Sequence, residues 1–300
     1  MPAYRKQSGN GQLRTLAGID FSEYSEQDLE SMFEDVLANK IHGLSFSPYV
    51  DGQGPGTAID AAQIQQRLSL IQSHIGWVRS FSCTEGNQAI AEVARSNQLN
   101  TMVGVWLDDD LENNELEIAN AIEVGRAGNA DIIAVGNEVL LREDLSEDQL
   151  ITYLARVKAA LPDVDVGYVD AYYKFVDYPR VTAMCDVILA NCYPFWEGCA
   201  AEYSLLYMKD MYRRVSQVAN GKKVIISETG WPNIGTAFGG AIPSYGNAMR
   251  YFLNTYQWAA EEGIDVFYFS AFDENWKVKD EGDVGAYWGL WDKDGAPKYG

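Results

Sequence analysis

Short apolar runs alternate with amphipathic stretches along most of the chain, and this alternation leaves very few folds open to it. The runs read HGLSFSPY (42–49), WVRSFS (77–82), TMVGVW (101–106), DIIAVGNE (131–138), VDVGYV (164–169), DVILANCYP (186–194), KVIISETG (223–230) and DVFYFSAFDE (265–274). They are rich in Val, Ile and aromatic residues, as strands buried on both faces are. Between them lie stretches such as DAAQIQQRLSLIQSHI, NQAIAEVARS, NELEIANAIEVGRAG and SEDQLITYLARVKAAL, whose apolar residues fall three and four apart, the helical period. Ser146 with Gln149 spells a capping box, and Asn87 is placed to cap another helix. Eight such repeats predict an α/β fold, a closed (β/α)8 TIM barrel, as a single domain over residues 1–300. An open doubly wound sheet is the competitor, but the chain carries no GxGxxG turn, no P-loop and no linker. LAGIDF (16–21) is a ninth run. It reads as a lead-in to the helix SEQDLESMFEDVLANK, so residues 1–40 form a lead-in and a helix covering the barrel seam.

Charge limits the partners. Acidic side chains number 43 and basic ones 23, a net charge of −20, which repels nucleic-acid phosphates and anionic membranes. No apolar run is long enough to span a bilayer. Neutral or cationic partners fit better, and the expectation is a chain that binds no nucleic acid and no membrane and is a monomer. MPAYRKQSGNGQLRT lacks the apolar core of a signal peptide, so the expectation is a cytoplasmic protein as encoded, or a periplasmic or secreted one whose leader was removed. Cys83, Cys185, Cys192 and Cys199 show no CxxC spacing, against zinc ribbons and thioredoxin-type chemistry. They read as buried free thiols, with a Cys192–Cys199 disulfide as the alternative.

In a barrel of this kind the reacting groups sit at the carboxyl ends of the strands. Those ends supply Tyr49, Arg79 with Ser82, Trp106, Asn137 with Glu138, Asp170, Tyr193, Glu228, and Asp273 with Glu274. Glu138 and Glu228 end the fourth and seventh strands and can face one another across the mouth. Glycosidic bond cleavage needs such a pair, one carboxyl to protonate the leaving oxygen and one to meet the developing oxocarbenium ion. A lone strand-end glutamate could equally anchor loop amides. The pair is weightier because Asn137 offers an amide to a sugar hydroxyl, Tyr193 a phenol to a carboxylate, and Trp231 an apolar face to a pyranose. Val224, Ile225 and Ile226 would hold Glu228 rigidly. His42 and His74, the only histidines, fall away from strand ends and build no Ser-His-Asp or zinc arrangement. DDDLENNELE (108–117) lacks EF-hand spacing and reads as a solvated loop.

The segments VGNE (135–138), NCYPF (191–195), ISETGWP (226–232) and FDENWK (272–277), with FSPY (46–49) and VRSFSC (78–83), resemble glycoside hydrolase family 17. That family comprises β-1,3-glucanases and related transglycosylases, and the likeness, to its bacterial single-domain type, runs over nearly all of residues 41–292. It implies Glu138 as general acid/base, Glu228 as nucleophile, and Glu274 and Lys277 as polar groups of the cleft. The expected substrate contacts are Tyr49, Arg79, Asn137, Tyr193, Phe195, Trp196, Trp231, Phe272, Glu274, Trp276 and Lys277, with Phe195, Trp196, Trp231 and Trp276 as stacking platforms. The expected activity is retaining hydrolysis of β-1,3-glucosidic bonds in laminarin-type glucans, without cofactor or metal. A β-1,3-glucan transglycosylase and a non-catalytic glycan-binding barrel are the alternatives. A phosphate- or Schiff-base-type barrel enzyme fits less well, because Lys222 and Lys223 stand at the wrong end of the seventh strand.

Overall fold

The structure is a computed structural model that describes residues 14–15 and 17–299. Its barrel strands are β1 (Ile41–Ser45), β2 (Ile75–Arg79), β3 (Asn100–Val105), β4 (Ile132–Asn137), β5 (Asp165–Ala171), β6 (Val187–Asn191), β7 (Val224–Thr229) and β8 (Val266–Tyr268). They pair in parallel in chain order and close between β8 and β1 through Phe267↔Gly43 and Tyr268↔Leu44. The TIM barrel expected from the alternation is the fold. Met102, Ile132, Ala134, Val169, Leu189, Ile225 and Phe267 pack on one another as one buried cluster. Ile133, Val135, Val166, Ile188, Val224 and Ile226, the alternate residues of the same strands, belong to the larger cluster that includes helix residues, as a period of two requires.

Around the strands lie α1 (Glu26–Ala38), α2 (Ala61–Ser69), α3 (Ala89–Ser96), α4 (Leu111–Arg126), α5 (Glu147–Ala160), α6 (Pro179–Met184), α7 (Ser204–Val218) and α8 (Tyr245–Glu262). The Ser146–Gln149 capping box opens α5 as the sequence spells it. Asn87 does not cap α3, which starts after Gln88 without a side-chain cap. The Asn87 amide instead donates to Tyr49 Oη at 3.3 Å and Thr84 O at 3.1 Å, tying two loops together. DDDLENNELE is not a solvated loop either. Asp110 caps α4, and Glu117 on that helix is fully buried, accepting from Cys83 N at 2.7 Å, Thr84 Oγ1 at 2.8 Å and Trp106 N at 3.1 Å.

Helix α1 turns Leu29, Phe33 and Leu37 inward and lays Phe33 on Phe252 of α8, ring centroids 4.3 Å apart. Within LAGIDF, Gly18–Ile19 pairs antiparallel with Arg14–Thr15 and Ile19 N bonds Asn254 of α8, so the run stays outside the barrel. Residues 1–13 of the expected lead-in lie outside the described residues. After β8 the helical segments among the described residues are single turns, Asn275–Lys277, Val278–Glu281 and Asp283–Ala286.

Two strands carry an extra residue near their carboxyl ends. Between Ala134 and Asn137, β4 slips against Gly167 and Val169 of β5. Between Ile226 and Glu228, β7 slips against Ala190 and Asn191 of β6. A bulge of this kind re-aims the side chains beyond it. These are the strands that lead into Glu138 and carry Glu228 as the last residue but one.

Candidate active site

Glu228 lies on β7, where every residue is buried. Its Oε1 is 2.8 Å from Arg79 Nη1, and its Oε2 accepts from Tyr193 Oη at 2.8 Å. Arg79, itself 1% exposed, also donates to Asn137 Oδ1 at 2.7 Å and Ser45 Oγ at 3.3 Å. The guanidinium thus balances the carboxylate and locks β2 and β4 beneath it. Burial, and then the Glu228 charge, push the Tyr193 phenol far up, so it remains a donor.

Glu138 follows β4 in left-handed backbone, φ 53°. Its Oε1 accepts from Asn191 Nδ2 at 2.9 Å, and Asn191 Oδ1 in turn accepts from Ser227 Oγ at 2.8 Å. Burial is the largest cause that pushes the Glu138 carboxyl up to about 7, and the Glu228 charge is the next. The Asn191 hydrogen bond opposes both.

Both carboxyls line one cavity of about 260 Å³, walled by Tyr172, Tyr173, Asn191, Tyr193, Trp196, Glu197, Phe269, Glu281 and Trp288. A second cavity of about 670 Å³ lies on the side of the β1 and β8 loops and is lined by Tyr49, Gln53, Asp273, Glu274, Trp276 and Lys279 among others. Lys277 Nζ sits 2.9 Å from Glu274, which lines this cavity, and 3.7 Å over the ring of Phe269, which lines the first. Glu281 on the next turn is pushed up to about 7, by burial first.

Of the residues expected to meet substrate, Glu138, Glu228, Tyr193 and Trp196 face the first cavity, and Tyr49, Glu274 and Trp276 the second. Arg79 and Asn137 lie beneath the carboxylates. Three expected ring contacts are withdrawn into the core. Trp231 is 1% exposed, donates its indole N–H to Ile242 O at 3.1 Å, and packs between Phe195 and Tyr251. Phe195 is fully buried among Trp196, Trp231 and Trp288. Phe272 is buried with the Arg67 guanidinium 3.6 Å over its ring. Ser82, Trp106, Asp170 and Asp273 take up partners away from the first cavity: Ser82 bonds Glu117, Trp106 lies under Arg142, Asp170 bonds Tyr168, and Asp273 pairs with Lys298. All four cysteines are free thiols, Cys83, Cys185 and Cys192 buried and Cys199 partly exposed.

Sequence reasoning missed Asn191, Tyr172, Tyr173, Glu197, Glu281 and Trp288. Asn191 had a signal, since it is the last residue of β6. Glu281 had none, because KVKDEGD has the composition of any solvated turn.

A family model described as the BtgE/BtgC glycoside hydrolase domain matches residues 43–289. The chain belongs to that family. The chain's own resemblance to family 17, carried by its motifs, is met in solved structures. A glycoside hydrolase family 17 β-1,3-glucanosyltransferase from Rhizomucor miehei superposes with a TM-score of 0.78 at 26% identity, covering 87% of this chain and 96% of that one. A glucan 1,3-beta-glucosidase of Arthroderma benhamiae is 28% identical over 265 residues, 81% of this chain and 85% of its own length. One from Candida albicans is 28% identical over 270 residues, 81% and 87% of the respective chains. The BtgE/BtgC match starts in β1 and ends beyond β8, so it takes in both glutamates.

Proposed function

We propose that the chain is a retaining glycoside hydrolase that cleaves β-1,3-glucosidic bonds in laminarin-type glucans and oligosaccharides, with Glu138 as acid/base and Glu228 as nucleophile. The observation that carries this reading is one cavity holding two carboxyls in different environments. Glu138 is half-buried and its carboxyl is pushed up to about 7, whereas Glu228 is held by a guanidinium and a phenol. Such a pair divides into an acid and a nucleophile.

A sugar bound in the cavity presents its glycosidic oxygen to Glu138 and its anomeric carbon to Glu228. Proton transfer from Glu138 releases the leaving sugar while Glu228 forms the covalent glycosyl-enzyme. Esterification removes the Glu228 charge, one cause of the raised Glu138 value, so Glu138 then takes a proton from the incoming water. Tyr193 and Arg79, both on Glu228, fix its approach. The second cavity extends the cleft, with Tyr49 and Trp276 as further sugar contacts. The barrel works as one catalytic unit, as a monomer, and the reaction calls for no cofactor. Glucan is the partner, and the β-1,3 preference rests on the names of the relatives.

Transfer to a sugar acceptor is the second reading, favoured by the likeness to a glucanosyltransferase. Reducing-end-labelled laminari-oligosaccharides of several lengths separate the two. Shorter products from the outset support hydrolysis, and early products longer than the substrate support transfer.

A further inference from the structure

Glu138 stands at the start of a one-turn helix, Val139–Arg142, and makes no side-chain bond to that helix's amides. Its carboxyl is turned toward Asn191 instead. The first amides of any helix lack partners within it, and an N-terminal residue with an oxygen on its side chain commonly supplies one. Here that residue is engaged in the cavity, and the partners come from β5. Tyr168 Oη accepts from Leu140 N at 2.8 Å and donates its own proton to Asp170 Oδ2. Asp170 also takes the Leu141 amide and, at 2.7 Å, the Ala171 amide. Both β5 side chains are buried, Tyr168 at 1% and Asp170 at 0% exposure. Lys174 completes the bracket by donating to Leu140 O at 3.1 Å.

We propose that Tyr168 and Asp170 are positioning residues for Glu138, capping from the neighbouring strand the turn that carries it so that its carboxyl stays aimed at the leaving oxygen. The inference rests on the reading of Glu138 as acid/base. A non-glycine residue in left-handed backbone persists only where its surroundings over-determine it. The two β5 groups, with Glu138 N on Val169 O at 2.8 Å, do so. Asp170 acts through charge as well. The charged and titratable groups facing Glu138 are Glu228 on β7, Asp170 on β5, Arg142 on its own turn, and the phenols of Tyr173 and Tyr193. Asp170 and Glu228 both favour the protonated form of Glu138, and Arg142 opposes them. Lys174 faces Asp170 in turn.

The test compares Asp170→Asn and Tyr168→Phe with the parent enzyme on two substrates, a laminari-oligosaccharide and a 2,4-dinitrophenyl β-glycoside whose leaving group needs no proton. Both variants should lose roughly 10- to 100-fold in kcat/KM on the oligosaccharide, as a misplaced catalytic group does, and little on the aryl glycoside. Asp170→Asn should also move the alkaline limb of kcat/KM to lower pH, because a charge that favours protonated Glu138 is gone. Tyr168→Phe keeps that carboxylate and should leave the limb closer to its original place. Equal losses on both substrates with an unmoved limb would mean the pair only stabilises the barrel, and would overturn the inference. Should Asp170→Asn fail to fold, Tyr168→Phe, which removes one hydroxyl, carries the test. Glu138→Ala run in parallel separates the two levels. If it shows no leaving-group dependence, the role of Glu138 falls and this inference with it; if it does and the β5 variants do not, the inference alone falls.

Discussion

Arg79 Nη1 lies 2.8 Å from Glu228 Oε1, and the two side chains are almost wholly shielded from solvent. The pair bonds a charge on β2 to a charge on β7, across the floor of the cavity. Removing one member of a buried ion pair leaves the other uncompensated, which costs about 3–5 kcal/mol. Arg79→Ala should therefore lower the midpoint of chemical denaturation strongly, as well as activity. Arg79→Lys should fall between, because an ammonium cannot reach Glu228 and Asn137 with the same fork. Denaturant titration followed by tryptophan fluorescence measures both.

The carboxyl of Glu138, pushed up to about 7, sets a pH dependence with a definite sign. The acid step needs the protonated form, so kcat/KM should fall as pH rises through about 7. Stability follows the same direction. A carboxyl whose folded value is raised ionises first in the unfolded chain, so its contribution is intact below the unfolded value near 4.5 and is lost as pH rises toward about 7. Glu138→Gln should remove that loss and raise stability above pH 7 by on the order of 2 kcal/mol, with little change at pH 4. Thermal melts of the two proteins across pH check this.

The two glutamates should respond differently to truncation. Glu228→Ala should abolish turnover on glycosides generally, since no other group replaces the covalent partner. Glu138→Ala should keep forming glycosyl-enzyme from substrates with acidic leaving groups, and azide should restore its turnover as a β-glycosyl azide. An α-glycosyl azide from Glu228→Ala, with no rescue of Glu138→Ala, would reverse the assignments. Steady-state kinetics with and without azide, with the products characterised, make the distinction.

Trp196 and Trp231 should separate binding from folding. Trp196 lines the cavity, so Trp196→Ala should raise KM, with a loss of ~1 kcal/mol from an aromatic contact. Trp231 lies within the core, so Trp231→Ala should instead destabilise by about 3–5 kcal/mol. Denaturation midpoints and KM, taken together for both variants, should show the two losses on different axes.

This contrast also marks how much of the fold and the site the sequence carries. The barrel was legible because strands buried on both faces write continuous apolar runs, and the ends of β4 and β7 pointed to Glu138 and Glu228. What a ring near a strand end touches was not legible, because Trp196 and Trp231 look alike until the packing of Phe195 and Trp288 between the loops is known. The bulges in β4 and β7 were hidden for a similar reason: an extra residue in a strand depends on the register of its neighbour. The acidity around Glu117 predicts solvation, yet its oxygens satisfy four loop donors. Burial of a charge is decided by long-range partners, and Cys83 and Trp106 are contributed by other strands' loops.

Double displacement through Glu228 and Glu138 has one direct signature, the configuration of the first product. Proton NMR on a laminari-oligosaccharide, recorded before mutarotation, should show the β-anomer at the newly formed reducing end, with the α-anomer appearing only afterwards. An α-anomer formed first would contradict a covalent intermediate on Glu228.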